Sequence, residues 1–391
     1  MENINLAKSL FKQRKFKETI DICNSILAAG VNEIESLKLI GKSLFAIKRI
    51  EDSRLYFKKI VNIQADDYES LKELGNTYLA LDDPLTAKEY YLKALLINDT
   101  YSPALINLGG IELNSGNIKE ALMILIKATE SDPESAAAWG NLGRCYYQLG
   151  KLKEAEESLR KSIYINPNIF NSYFLLSNIL ISHKKLQESE YLLRKAIELN
   201  PDSFQAHLSL GAILKELGKL VEAEIICLRA IELNPSLFNS YFLLSGILIA
   251  QNKLLEAEQP LRKTIELKPD LFQAHSSLGG LLAKTGRIKE AKVSTLKAIE
   301  LNSDFAEGYS NLGTILKDLG NFEEAKRSVL KAIKIRADFA EAHLNLGTIL
   351  KELRKLTEAE ISTRKAIEFK PNYAEAFYNL GNILRDLGNY K

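Results

Sequence analysis

Chemically equipped residues are scarce in this chain of 391 residues, which holds three cysteines and four histidines. Cys23, Cys145 and Cys227 are far apart, at no spacing that suits a metal or a disulfide. They read as small buried hydrophobes of a protein in a reducing cytoplasm. His183, His207, His275 and His343 never sit among cysteines or carboxylates at ligand spacing, so neither a metal centre nor a cofactor is expected. No Gly-rich loop falls between a strand and a helix, and no Gly-x-Ser-x-Gly elbow with triad partners occurs. These absences argue against an enzyme. Long apolar runs are missing as well. The longest, Tyr241 to Ala250, is far too short to span a bilayer, and the opening MENINLAKSLFKQRKF has no apolar stretch of the kind a signal peptide needs. A net charge of +2 gives no push toward nucleic acid or an anionic membrane.

What the chain has in abundance is repetition. Residues 204–237, FQAHLSLGAILKELGKLVEAEIICLRAIELNPSL, carry a 34-residue pattern that recurs without insertion or deletion from one end to the other. In the first half, His207, Leu210, Gly211, Leu214 and Leu217 fall on one helical stripe. Gly218 interrupts it, as glycine does just past a helix end where positive φ is needed. In the second half, Leu220, Ala223, Cys227, Ala230 and Ile231 form another stripe, which Asn234 and Pro235 stop. Ser236 is then the expected N-cap of the following helix. The unit is a helix–turn–helix hairpin. Gly211 and Ala223 are small where its helices approach, and Ala230 is small where the next unit packs. Two such helices cannot bury a core alone and need neighbours on both sides.

These residues resemble the tetratricopeptide repeat, whose period is also 34. His207, Leu210, Gly211, Leu214, Ala223, Cys227, Ala230 and Pro235 occupy the family's positions 4, 7, 8, 11, 20, 24, 27 and 32. The resemblance covers essentially the whole chain. It implies an all-α fold, a right-handed α-solenoid superhelix of tandem helix–turn–helix units. A single solenoid is expected over 1–391, with a degenerate first repeat at 1–33, full repeats over 34–373 and a lone terminal helix at 374–391. That last half-unit fits either a true end or a piece of something longer. A two-repeat rhythm overlies the period: FNSYFLLS stands at both 170 and 238, and position 4 runs Tyr173, His207, Tyr241, His275, Tyr309, His343. A packing role is expected for those histidines and for Trp139, also at position 4. Pro260 falls inside a second helix, where a kink is expected.

Function must then lie on a surface. In the family, first helices line a concave groove that binds peptides through positions 2, 5, 6, 9, 12 and 13. Three groups of candidates occupy those positions. Lys8, Lys12, Lys38, Lys42, Lys72 and Arg144 form a basic string suited to an acidic peptide or a carboxylate. Within it, Lys72 and Asn76 followed by Asn107 match the start of the family's carboxylate clamp, a match that stops where Ala137 and Asn141 stand. Phe174, Ile181, Phe242 and Ile249 offer apolar anchors, with Asn178 on the same face. Asn107, Asn141, Asn311, Asn345 and Asn379 form an interrupted position-6 series able to hold an extended backbone. That series is similar to the repeat arrays of O-linked N-acetylglucosamine transferases.

The expected function is a non-enzymatic scaffold that binds a peptide or protein segment in its groove. The alternative is the substrate-recruiting region of a glycosyltransferase, or of another enzyme, whose catalytic domain lies beyond residue 391 or on another chain. Self-association through the solenoid ends is a further expectation.

Overall fold

The computed structural model describes residues 2–388 of the chain. The described residues form 23 α-helices and no strand. They divide into two compact units, Met1–Pro201 and Asp202–Lys391. Unit 1 contains α1 (Glu2–Lys12), α2 (Phe16–Ala28), α3 (Glu33–Ala46), α4 (Ile50–Ile63), α5 (Tyr68–Ala80), α6 (Pro84–Ile97), α7 (Ser102–Asn114), α8 (Ile118–Ser131), α9 (Ala136–Gln148), α10 (Leu152–Ile165), α11 (Phe170–Ser182) and α12 (Leu186–Leu199). Unit 2 contains α13 (Phe204–Glu216), α14 (Leu220–Leu233), α15 (Phe238–Ala250), α16 (Leu254–Leu267), α17 (Phe272–Lys284), α18 (Ile288–Leu301), α19 (Ala306–Asp318), α20 (Phe322–Ile335), α21 (Ala340–Glu352), α22 (Leu356–Phe369) and α23 (Ala374–Asp386). Each unit is an α-solenoid of helix hairpins, as the repeat predicts.

One backbone device recurs at every turn between the helices of a hairpin. The residue two places past the first helix has positive φ in all twelve copies: Arg14, Lys48, Asp82, Gly116, Gly150, Lys184, Gly218, Asn252, Gly286, Gly320, Arg354 and Gly388. The left-handed residue lets the next N–H reach back to the helix, as when Lys185 N donates to Leu180 O at 2.9 Å. Glycine fills six of these places, but the geometry persists without it.

The hairpin closes by size complementarity. A Cβ added at Gly143 would stand 2.7 Å from Leu159 Cγ and 3.3 Å from Ala155 O. The helices touch there, and only glycine fits without movement. Ala155, Ala223, Ala291 and Ala359 are fully buried on the facing helices. Where serine replaces that alanine, its hydroxyl is satisfied across the same contact: Ser53 Oγ donates to Gly41 O at 2.7 Å and Ser189 Oγ to Ser177 O at 3.0 Å.

One local expectation needs correction. Ser236 is not the N-cap of α15; Leu237 is, and Ser236 donates instead to Asn234 Oδ1 through its N–H (3.2 Å) and hydroxyl (2.8 Å). The asparagine before the proline organises this loop, as Asn166 does before Pro167 and Asn302 does before Ser303. Pro260 is buried inside α16, which runs unbroken over the same 14 residues' length as α14 and α18. The proline removes a donor but does not end the helix.

Within each unit, odd-numbered helices pack on their hairpin partners and also on the next odd-numbered helix, as α7 does on α9 and α19 on α21. The odd-numbered helices therefore make up one layer of each unit, the layer that the repeat resemblance assigns to the inner side. The cysteines are buried and unpaired. Burial pushes the Cys23 thiol up to about 11 and the Cys227 thiol up to about 12, so neither is a nucleophile at neutral pH.

Candidate functional site

The candidate residues lie on the inner layer, and the structure sorts them into three settings. The first is the basic string of unit 1. Lys38 Nζ is 2.6 Å from the Asp67 carboxylate and 3.5 Å from that of Glu69. Asp67 also caps α5, accepting from Ser70 N (3.2 Å) and Ser70 Oγ (3.0 Å). Burial alone would raise the Asp67 carboxyl; the Lys38 ammonium and the Ser70 donors outweigh it and hold it below the ordinary carboxylate range. Lys8 pairs with Glu35 at 2.7 Å and Lys72 with Glu73 at 2.7 Å. Much of the string is thus neutralised by carboxylates on the same face. Lys42 is half-buried and has no carboxylate partner among the described residues.

Lys72, Asn76 and Asn107 come together in one network. Asn76 Nδ2 donates to Glu73 at 2.8 Å, and its Oδ1 accepts from Tyr91 Oη (2.8 Å) and Asn107 Nδ2 (2.8 Å). The buried Tyr91 ring fills the core behind Gly75 while its hydroxyl orients these amides. Sequence reasoning placed the amides on one face but missed Glu73 and Tyr91 as their partners. The signal was available, because Glu73 holds position 6, the column in which Asn107 and Asn141 stand.

The second setting is a cavity of about 390 Å³ between α9 and α11. Asn141, Arg144 and Phe174 line it together with Gly140, Asn171 and Ser172. Arg144 donates to the neutral Asn114 side chain, so its charge is not cancelled there. Phe174 stacks on Phe170, one helical turn back, with centroids 5.7 Å apart and planes 9° from parallel. Three candidates drawn from the basic, apolar and asparagine groups therefore share one concavity. Asn178, a turn further along α11, is half-buried and lies outside the cavity lining.

The third setting is unit 2, where the candidates are dispersed. Phe242 is half-buried on α15, Asn311 is exposed on α19 and Asn379 is half-buried on α23. Asn345 Nδ2 donates to Ser310 Oγ of the preceding odd-numbered helix at 2.9 Å.

Three of the position-4 residues share a structural task. Trp139 Nε1 donates to Pro133 O, and His275 Nε2 and His343 Nε2 donate to Pro269 O and Ala337 O, all at 2.9 Å. A carbonyl can only accept, which puts the histidine proton on Nε2. Each of these rings pins the loop six residues before it. Among the described residues no group of histidine, cysteine and carboxylates could hold a metal ion, and no helix is long and apolar enough to cross a membrane.

Comparison with known proteins agrees with this architecture. The family described as "Cilia and flagella-associated protein 70 C-terminal domain" matches residues 6–277. Families described as "Tetratricopeptide repeat" match residues 306–339 and 340–373, and 363–391. No curated protein sequence matches significantly. Among solved structures, the chain is similar to the "Crystal structure of APC/C hetero-tetramer Cut9-Hcn1". That similarity has a TM-score of 0.53 and 15% identity, and covers 98% of this chain and 83% of that one. At that identity the likeness concerns the fold alone. With more than half of its length matched by the first family and repeats of the same type following, the chain belongs to the tetratricopeptide-repeat proteins, in the family of the cilia and flagella-associated protein 70 C-terminal domain.

Proposed function

We propose that the chain is a non-enzymatic protein-interaction scaffold, and that unit 1 binds an extended peptide segment along its inner layer with the α9–α11 cavity as anchor. The observation that carries this reading is the convergence of Arg144, Asn141 and Phe174 on one cavity. An arginine bonded only to a neutral amide keeps its charge for an acidic side chain. The half-buried Phe174 ring supplies apolar area, and the Asn141 amide can meet a peptide group. The peptide best suited has an acidic residue beside a large apolar one. The family name points to cilia and flagella, and assembly of protein complexes there is the setting we propose.

The recruiting-array alternative rests on the asparagine series. Asn107 donates to Asn76 and Asn345 to Ser310, so these amides already bond within the chain. That leaves less of a ladder for a peptide backbone and favours the scaffold reading.

Selection of displayed random peptides on the whole chain tests the proposal. Enriched peptides should pair an acidic residue with a bulky apolar one. Arg144→Glu with Phe174→Ala should weaken them by about tenfold or more, the effect expected of a central anchor. Peptides that bind the double variant as well as the wild type would sink the proposal.

A further inference from the structure

A second concavity of unit 1 lies away from the inner-layer site, between α8, α9 and α10. It measures about 600 Å³, with Trp139 and Tyr146 on its walls and Glu130, Glu154 and Glu157 among its lining residues. All three glutamates are exposed, and none has an ion pair or side-chain hydrogen bond among the described residues. The other charged lining residue, Lys161, is drawn elsewhere: its Nζ is 3.8 Å from Glu134 and 5.7 Å from the Tyr164 ring centroid. Lys151 reaches the Tyr146 ring only at 6.0 Å.

The repeat supplies an internal comparison. The cavity between α16, α17 and α18 of unit 2 is the same niche four repeats later: His275 stands for Trp139, Leu278 for Leu142, Ser294 for Ser158 and Lys297 for Lys161. The loop-pinning hydrogen bond is kept as well, from His275 to Pro269 O. Its charge is not kept. Arg262 replaces Ile126 and Val293 replaces Glu157. The two remaining carboxylates are neutralised within the chain, Glu266 by Lys263 at 2.6 Å and Glu290 by Arg287 and Arg262. The niche itself therefore belongs to the repeat. What the α8–α10 copy adds is two aromatic walls and three uncancelled carboxylates.

We infer that the α8–α10 cavity is a second docking site, which receives a lysine or arginine side chain from a basic segment of a partner protein. The aromatic faces offer cation–π attraction to such a side chain and apolar contact to its stem. The glutamates supply the opposite charge. Hydrogen bonding to Pro133 O fixes the indole, so little order is lost on binding. The charge of the partner is opposite to that suited to Arg144, so the two sites of unit 1 select different segments.

Trp139 is the single tryptophan of the chain, and its emission reports on this cavity directly. The whole chain should be titrated with a short Gly-Lys repeat peptide and, separately, with its Gly-Glu counterpart. The expected result is a saturable change in Trp139 emission with the lysine peptide only, weakened by added salt. Glu154→Gln with Glu157→Gln should weaken that binding about tenfold, consistent with the loss of two partly exposed charge contacts. Glu266→Gln with Glu290→Gln, in the equivalent niche, should leave it unchanged. Both pairs lie on exposed helix faces, and circular dichroism checks that the variants stay folded. No saturable change, an equal response to the Gly-Glu peptide, or equal weakening by the two double variants would each overturn the proposal.

Discussion

Lys184 pays a conformational penalty that its counterparts Gly150 and Gly218 avoid, and relieving it should stabilise the end of α11. Its φ is 58°, in the left-handed region, while its exposed side chain has no ion pair among the described residues. A non-glycine residue in that region loses about 1–2 kcal/mol to the contact between Cβ and the carbonyl oxygen. Glycine removes the contact but gives the unfolded chain about 0.4–1 kcal/mol of extra entropy. The balance for Lys184→Gly is a gain of about 0.5–1 kcal/mol. Solenoids open locally, so a global melting curve dilutes the effect. Amide hydrogen exchange across α11 and α12 is the better assay, and it should slow about two- to fivefold. Lys184→Ala is the control, because it removes the charge and keeps the Cβ; it should bring no slowing. Gly150→Ala should do the reverse of Lys184→Gly, since a Cβ there meets nothing within 4 Å and only the φ of 72° opposes it. Unchanged or faster exchange in Lys184→Gly would refute the strain argument.

Two further predictions concern packing and pH. Gly143→Ala should destabilise unit 1 by about 1–3 kcal/mol by overpacking against Leu159 and Ala155 O, whereas Gly211→Ala, whose nearest neighbours would be 3.5 Å away, should be neutral or slightly stabilising; urea midpoints separate the two. Unit 1 should also lose stability in acid through Asp67 and Glu112. Glu112 is buried, 2.6 Å from Lys88 Nζ and 2.7 Å from Asn117 Nδ2, and although burial would raise its carboxyl, these donors hold it below the ordinary range, as Lys38 and Ser70 do for Asp67. A lowered folded value means stability that is present above the ordinary carboxylate values of 3.8 and 4.5 and is lost as pH falls through the folded values. Asp67→Asn should flatten that acid limb, and a variant that keeps the wild-type slope would count against the assignment.

The features legible in the sequence are those that each repeat states for itself. Helix stripes, the Gly143 and Ala155 contact and the turn at Gly218 depend on residues within one hairpin, and they recur so often that an exception such as Ser177 for glycine does not hide them. The partners of Lys38, and Asn107 among those of Asn76, lie in the neighbouring hairpin, where helix periodicity says nothing about which side chains meet. Glu69 could have been read as a partner for Lys38, because both occupy groove columns one repeat apart, but Tyr91 could not, because its column was assigned wholly to the core. The division after Pro201 left no mark either, since Asn200 and Pro201 repeat the pairs at Asn166 and Asn234. The two sites proposed for unit 1 follow the same logic. In a repeat every position offers the same niche, so the niche carries no selectivity. Selectivity enters only where one copy departs from its neighbours: Arg144 where the adjacent repeats carry Gly110 and Asn178, and Glu157 where the equivalent place in unit 2 holds Val293. A repeat protein that binds more than one segment can therefore assign each segment to a different departure, without altering the scaffold that presents both.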